Sequence, residues 1–402
     1  MIDLGCFDPD VSDAACSAYC RELERITRLP LAEVKPGVDK LGIHRRAPAS
    51  SGEMSVAQVQ QALRQTGLFP GGKVDGICGY RTQSAIRLFQ EVVRSAEGLG
   101  GVPDGRFGPT TQAHLQRWLA GGLASTWAPR IAQWRAGSND LGEYSAWLDL
   151  LTRTRGAQRA SPGRVQRMVE AFGGASDTRK LAEWDVDGSG STHLIGIRRE
   201  EFSGKFDDIF VLLVKGLVFK FQGTTEPGAT KDPRGLPFLV PGQHDYHFGW
   251  HQHTYLALRP QGAGVLVARS ANGKRLDDAD LAKGLEPNAT INIHWGGKGM
   301  TRDVGGWSEG CQVINGSVYL NPDDELVDCS GFAATNQAEL AGNPAKTRGA
   351  YNVLVDLVTA LASDLPASAV KYTLLTEADL AHSPALASGL AAARARVVKA
   401  AG

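Results

Sequence analysis

The chain has 402 residues, 43 basic and 43 acidic, so its formal net charge is zero. That length allows two or three domains of ordinary size, and the balanced charge excludes the electrostatic footprint of a nucleic-acid or anionic-membrane binder. A hydrophobic content of 42% beside 48 glycines describes a loop-rich globular chain, because there is enough apolar side chain to offset the entropy of ordering it.

The six cysteines, Cys6, Cys16, Cys20, Cys78, Cys311 and Cys329, are too sparse for a disulfide scaffold, and thiols are the expectation. The N-terminal segment, residues 1–50, opens MIDLGCFDPDVSDAACSAYC. It carries acids where a secretory signal has basic residues, and no run anywhere reaches the roughly 20 apolar residues of a spanning helix. The expectation is a chain made in the cytoplasm, without a membrane span and outside the usual signal route.

Within residues 51–122 the apolar positions Val56, Val59 and Leu63, then Ala85, Ile86, Phe89 and Val93, then Leu115, Trp118 and Leu119 recur at helical spacing. They predict a three-helix unit. Its connections nearly repeat, DGICGYRT from Asp75 and DGRFGPTT from Asp104, and each glycine turn leads to a threonine placed to cap the next helix. With Gln60 to Leu63 and with Phe89 and Gln90, these motifs resemble the peptidoglycan-binding domain over essentially the whole unit. Cys78 stands where phenylalanine is usual. The resemblance implies peptidoglycan as the partner and a wall anchor with no catalytic role.

Residues 123–182 return to helical spacing with Trp127, Ile131, Trp134, Tyr144, Trp147 and Leu150, a connector without evident chemistry. DVDGSGS from Asp185 imitates a calcium loop, but Gly196 holds the twelfth position where a bidentate glutamate belongs, so it is read as a turn. Residues 183–372 change to a period of two. Phe210, Leu212 and Val214 share a face, KGLVFKF reads as the return strand, and GVLVAR and TINIH follow. The fold class expected is multidomain α+β, with a mostly β, sandwich-like domain after the three-helix module. Residues 373–402, alanine-rich and basic late, predict a helical tail.

In TINIH, Ile291 and Ile293 face one way and Thr290, Asn292 and His294 the other. Cys311 follows His294 after a glycine-rich loop that can fold back and bring the two together. An imidazole beside a thiol supplies the nucleophile for attack on an acyl carbon, and backbone N–H groups around Gly310 and Cys311 are candidates to receive the oxyanion. The pattern also resembles the L,D-transpeptidase catalytic domain, whose signature matches here at His294, Ser308, Gly310 and Cys311. Glu309 replaces the second histidine, and the intervening loop, 295–307, is slightly short. That resemblance implies Cys311 as nucleophile, His294 as its base, the main-chain carbonyl of Trp295 as the group orienting the ring, and Ser308 as a brace. His251, Tyr255 and Trp307 are expected to line the substrate cleft.

The function read from these residues is a cysteine acyltransferase or peptidase of the L,D-transpeptidase or L,D-carboxypeptidase type, acting on stem peptides without a cofactor. The expectation that accompanies it is a phage lysis protein or a secreted antibacterial effector, made without the usual signal, with phage or secretion machinery as a partner and the periplasm or cell wall as the place of action. The rivals are a zinc amidase or endopeptidase using His244, His247, His251 and His253, and a noncatalytic wall-binding protein.

Overall fold

The computed structural model describes residues 1–27, 44–45, 52–188, 192–252, 254–273, 275–299, 303–361 and 370–401. Strand β1 (Cys6–Phe7), helix α1 (Asp13–Thr27) and strand β2 (His44–Arg45) precede helices α2 (Val56–Gln65), α3 (Tyr80–Glu97) and α4 (Pro109–Ala120). Nearly all the apolar positions that set the helical period in the sequence are buried between these three helices. Ser55 caps α2 through a capping box, and Gly98, in the left-handed region at φ 66°, ends α3.

The two motif loops are built alike. Gln60 Nε2 donates to Asp75 Oδ1 (2.8 Å), the Ile77 carbonyl (3.0 Å) and Thr82 Oγ1 (2.9 Å). Gln90 Nε2 does the same to Asp104 Oδ1 (3.0 Å), the Arg106 carbonyl (3.0 Å) and Thr111 Oγ1 (3.2 Å). The threonines therefore do not cap the next helices. Gly79 and Gly108 hold the N-cap positions without a side-chain bond, and Thr82 and Thr111 bond back to a glutamine that clamps the turn.

Helices α5 (Ala128–Arg135), α6 (Glu143–Ala160) and α7 (Arg164–Ala171) form the connector. The β-rich part follows: β3 (Thr192–Arg198), β4 (Asp208–Val214), β5 (Leu217–Thr224), β6 (Leu236–Leu239), β7 (Gly242–His251), β8 (Tyr255–Pro260), β9 (Val265–Ser270), α8 (Asp278–Ala282), β10 (Glu286–Asn288), β11 (Ile293–Trp295), β12 (Gln312–Leu320), β13 (Leu326–Asp328), α9 (Gln337–Gly342), α10 (Ala350–Leu361), β14 (Val370–Thr376) and α11 (Pro384–Ala401).

Eight of these strands form a closed barrel rather than the expected sandwich, while β10, β9 and β6 form a separate three-stranded sheet and β13 pairs on the free side of β12. The order is β11-β8-β7-β14-β3-β4-β5-β12, and β11 pairs again with β12, which closes eight strands. Closure rests on β11, only three residues long, antiparallel to β8 at Ile293–Leu258 and parallel to β12 from Ile293–Gln312 to Trp295–Ile314. Alternation reports which side chains face a core and is the same in a sandwich and a barrel. The pairing of one short strand decides between them.

Phe210, Leu212, Val214, Phe219, Phe221, Tyr246, Phe248 and Tyr372 belong to one core. The alternate positions Ile195, Ile197, Ile209, Val211, Leu213, Val218 and Leu375 are buried by Tyr144, Trp147 and Leu150 of α6 and by Leu386, Leu390 and Val397 of α11. Burial on both faces explains the continuous apolar run DIFVLLV. Lys215 and Gly216, both left-handed at φ 47° and 80°, make the two-residue hairpin that joins β4 to β5.

Helix α10 is buried along all its residues but Asn352, and its apolar side chains share one core with those of α3 and the barrel. Arg87 of α3 grips Asp356 of α10 with Nε at 2.9 Å and Nη2 at 2.9 Å, and the Tyr319 hydroxyl donates to Glu91 Oε1 at 3.0 Å. The three-helix module is thus docked on the barrel. Among the described residues no helix is long and apolar enough to cross a membrane.

Candidate active site

Along β7, β8, β11 and β12 the outer side of the barrel forms a cleft of about 1000 Å³ lined by His251, Tyr255, Asn292, His294, Trp307 and Cys311 among others. The pairing of Ile293 with Gln312 sets Cys311 opposite Asn292, two residues from His294 and on the same face. The Gln312 N–H donates to the Asn292 carbonyl at 2.8 Å and locks that register. The half-buried Cys311 thiol donates to the Thr290 carbonyl and receives the Asn292 N–H, both at 3.4 Å.

His294 is 5% exposed, and its Nδ1 donates to the Trp295 carbonyl at 2.9 Å. That bond leaves Nε2 as the basic nitrogen. Burial pulls the His294 pKa below 6.5 even though the carbonyls of Trp295 and Trp307 favour the charged ring. Burial and the Asn292 N–H act in opposite directions on Cys311, and burial wins, pushing the thiol up to about 11. The resting pair is therefore neutral thiol and neutral imidazole.

The His251 ring stacks on His294 and its Nδ1 accepts from Asn292 Nδ2 at 3.3 Å. Burial, then the adjacent His294 and two arginines, pull its pKa down to about 3. Tyr255 is almost fully buried, edge-on to Trp295, with the Arg348 guanidinium 4.2 Å above its ring. Trp307 meets Trp295 edge to face at 6.1 Å and lines the cleft.

Ser308 braces the turn before the cysteine. Its hydroxyl donates to the Cys311 carbonyl at 2.7 Å and accepts the Gly310 N–H at 3.1 Å. The Gly310 amide is therefore committed to Ser308 and does not point to an oxyanion, contrary to the reading of Gly310 as a donor. Gly310 is needed for its backbone: φ is +126°, and a Cβ there would lie 2.7 Å from Pro237 Cγ and 2.8 Å from Ile291 Cδ1.

The histidine cluster is divided by the pleat of β7. His244 is fully buried, receives the Thr178 hydroxyl at Nδ1 (2.9 Å) and donates from Nε2 to the Val240 carbonyl (3.1 Å). His247 and His251, an even step apart, share the opposite face of the strand from His244, and His253 lies outside the described residues. Among the described residues no group of three His, Cys, Asp or Glu side chains is placed to hold a metal ion.

Two residues escaped the sequence reading, Asn292 in the cleft wall and Arg348 behind it, over the Tyr255 ring. Asn292 shares the polar face with Thr290 and His294, a visible signal that carried no role; its Oδ1 is buried without a partner among the described residues. Arg348 follows Cys311 by 37 residues (348 minus 311) on a separate loop, and nothing local announces its approach.

Against known proteins, a family model described as a putative peptidoglycan binding domain matches residues 53–115. No curated protein and no solved structure matches the chain. Residues 53–115 are thus a peptidoglycan-binding domain, which points to association with the cell wall.

Proposed function

We propose that the chain is a wall-associated cysteine acyltransferase or peptidase that acts on peptidoglycan stem peptides at the Cys311–His294 cleft. One observation carries this reading: the β11–β12 register puts the thiol two residues from a buried imidazole on one cleft wall, with that imidazole's Nδ1 already held by the Trp295 carbonyl. The same polypeptide carries the peptidoglycan-binding domain that brings such a substrate near.

Because both groups rest neutral, His294 acts as a general base and the thiolate is not preformed. As Sγ leaves the Thr290 carbonyl and attacks the acyl carbon, its proton passes to Nε2. The tetrahedral intermediate collapses, the C–N bond breaks, and Nε2–H returns the proton to the leaving amine. The thioester then reacts with an amine to give a cross-link or with water to give a trimmed peptide. With Gly310 committed to Ser308, the Cys311 amide, for which no acceptor is found among the described residues, is the donor this reading assigns to the oxyanion.

The test is mass spectrometry of peptidoglycan fragments incubated with the wild type and with Cys311→Ala. Trimmed or cross-linked peptides absent from the variant support thiol catalysis, and their masses identify the acceptor. Products that persist in the variant move the chemistry elsewhere. A second reading, a noncatalytic wall binder, draws on the raised thiol pKa; absence of product from both proteins, with binding to insoluble wall retained, would favour it.

A further inference from the structure

We propose that Cys6 and Cys78 form a disulfide that fastens the N-terminal strand to the first motif loop of the peptidoglycan-binding domain. Both are carried here as thiols.

The N-terminal segment edges both motif loops. At the second loop Ile2 lies opposite Phe107, exchanging backbone bonds of 2.9 and 2.7 Å. At the first, Phe7 pairs with Ile77 in antiparallel register, which sets Cys6 opposite Cys78. The Cys78 N–H donates to the Cys6 carbonyl at 2.7 Å, and the Cys78 carbonyl accepts the Gly5 N–H at 2.9 Å. In the repeat, Cys78 occupies the place of Phe107. Both members of an apolar cross-strand pair in one loop are thus cysteines in the other.

Gly5, left-handed at φ 93°, bulges the strand so that Gly5 and Cys6 together face Cys78, and the remaining direct bond between the Cys78 N–H and the Cys6 carbonyl holds the two backbones at the strand spacing of about 5 Å, inside the Cα range a disulfide spans. The two side chains are 3% and 0% exposed. Asp3 accepts the Cys6 thiol at 2.9 Å, and burial, with Cys6 and Asp3 nearby, holds the Cys78 thiol well above its usual range. High thiol pKa values make poor leaving groups, so the bond, once made, resists exchange. A wall-associated protein works in surroundings that are commonly oxidising. The strand it fastens also places Asp8, whose carboxylate accepts the N–H groups of Val56 (2.7 Å) and Ala57 (2.9 Å) at the start of α2.

The step balances with a disulfide oxidant such as glutathione disulfide. Two thiols lose two protons and two electrons, one S–S bond forms, and the oxidant is reduced to two thiols. Because both groups are buried, exchange proceeds while the strand is undocked.

The full chain is incubated with glutathione disulfide, quenched in acid, unfolded, alkylated and digested. A cross-linked peptide pair containing residues 6 and 78, lost on reduction, is expected. Alkylation of both residues, or linkage of Cys78 to Cys16 or Cys20, overturns the proposal. Thermal unfolding supplies a second readout: the oxidised wild type is expected to unfold several degrees above the reduced protein, a difference absent in Cys6→Ser. Equal midpoints for oxidised and reduced wild type would also overturn it. Neither readout depends on Cys311 being catalytic.

Discussion

The imidazole of His251 lies over that of His294 with ring centroids 4.4 Å apart and planes 24° apart. Two protonated rings at that distance repel, and burial already disfavours charge on either, so both stay neutral. His294 therefore keeps its basic form below pH 6.5. The acid limb of kcat/KM is expected below that value, and His251→Ala, which opens the stack to water, is expected to move the limb up toward it. A pH–rate profile with a wild-type limb at 6.5 or above would contradict the neutral pair.

The same shifts fix a dependence of stability on pH. Burial holds the pKa of His244 and of His251 down at about 3, against 6.5 for an imidazole in water. Lowered values mean that the unfolded chain binds protons that the folded chain refuses. Their contribution is present above 6.5 and is lost as pH falls toward 3. Denaturant midpoints measured from pH 7 to pH 4 should fall, and His244→Gln should fall less steeply. Parallel slopes in the two proteins would place the acid sensitivity in other groups.

Much of this arrangement was legible from the chain. The three helices and their apolar stripes follow from the positions of Val59, Phe89 and Leu115, and the Lys215–Gly216 hairpin from KGLVFKF. The polar face of TINIH also placed His294, Asn292 and Thr290 together. The barrel was not legible, because closure depends on how Ile293 to Trp295 pair with two distant strands, a non-local choice that leaves no period. Arg348 over Tyr255 was hidden for the same reason. The threonines Thr82 and Thr111 were misread locally: their position after a glycine turn suits a cap, but the long-range amides of Gln60 and Gln90 claim them first.

Ser308 and Gly310 shape the turn that presents Cys311. Ser308→Ala removes the acceptor of the Gly310 N–H and the donor to the Cys311 carbonyl. Leaving these groups unpaired is expected to cost about 1–3 kcal/mol, with kcat falling more than KM changes because the nucleophile is less well held. Gly310→Ala is expected to be worse, since its Cβ meets Pro237 and Ile291 at a left-handed backbone position. Chemical denaturation and steady-state kinetics on both variants check the order; equal stability of Gly310→Ala and wild type would refute the strain argument.

Arg87 and Asp356 link the peptidoglycan-binding domain to the barrel through a bidentate pair in which the carboxylate is 2% exposed. Removing one partner of a buried pair strands the other charge and typically costs about 3–5 kcal/mol. Arg87→Met is therefore expected to destabilise strongly, whereas Arg87→Met with Asp356→Leu, which removes both charges, is expected to recover much of the loss. The core shared by α3, α10 and the barrel further implies that module and barrel unfold in one transition. Calorimetry of the wild type and the two variants tests both points. A single variant as stable as wild type would show that the pair is not a buried link, and two separated transitions in the wild type would show that the domains do not share a cooperative core.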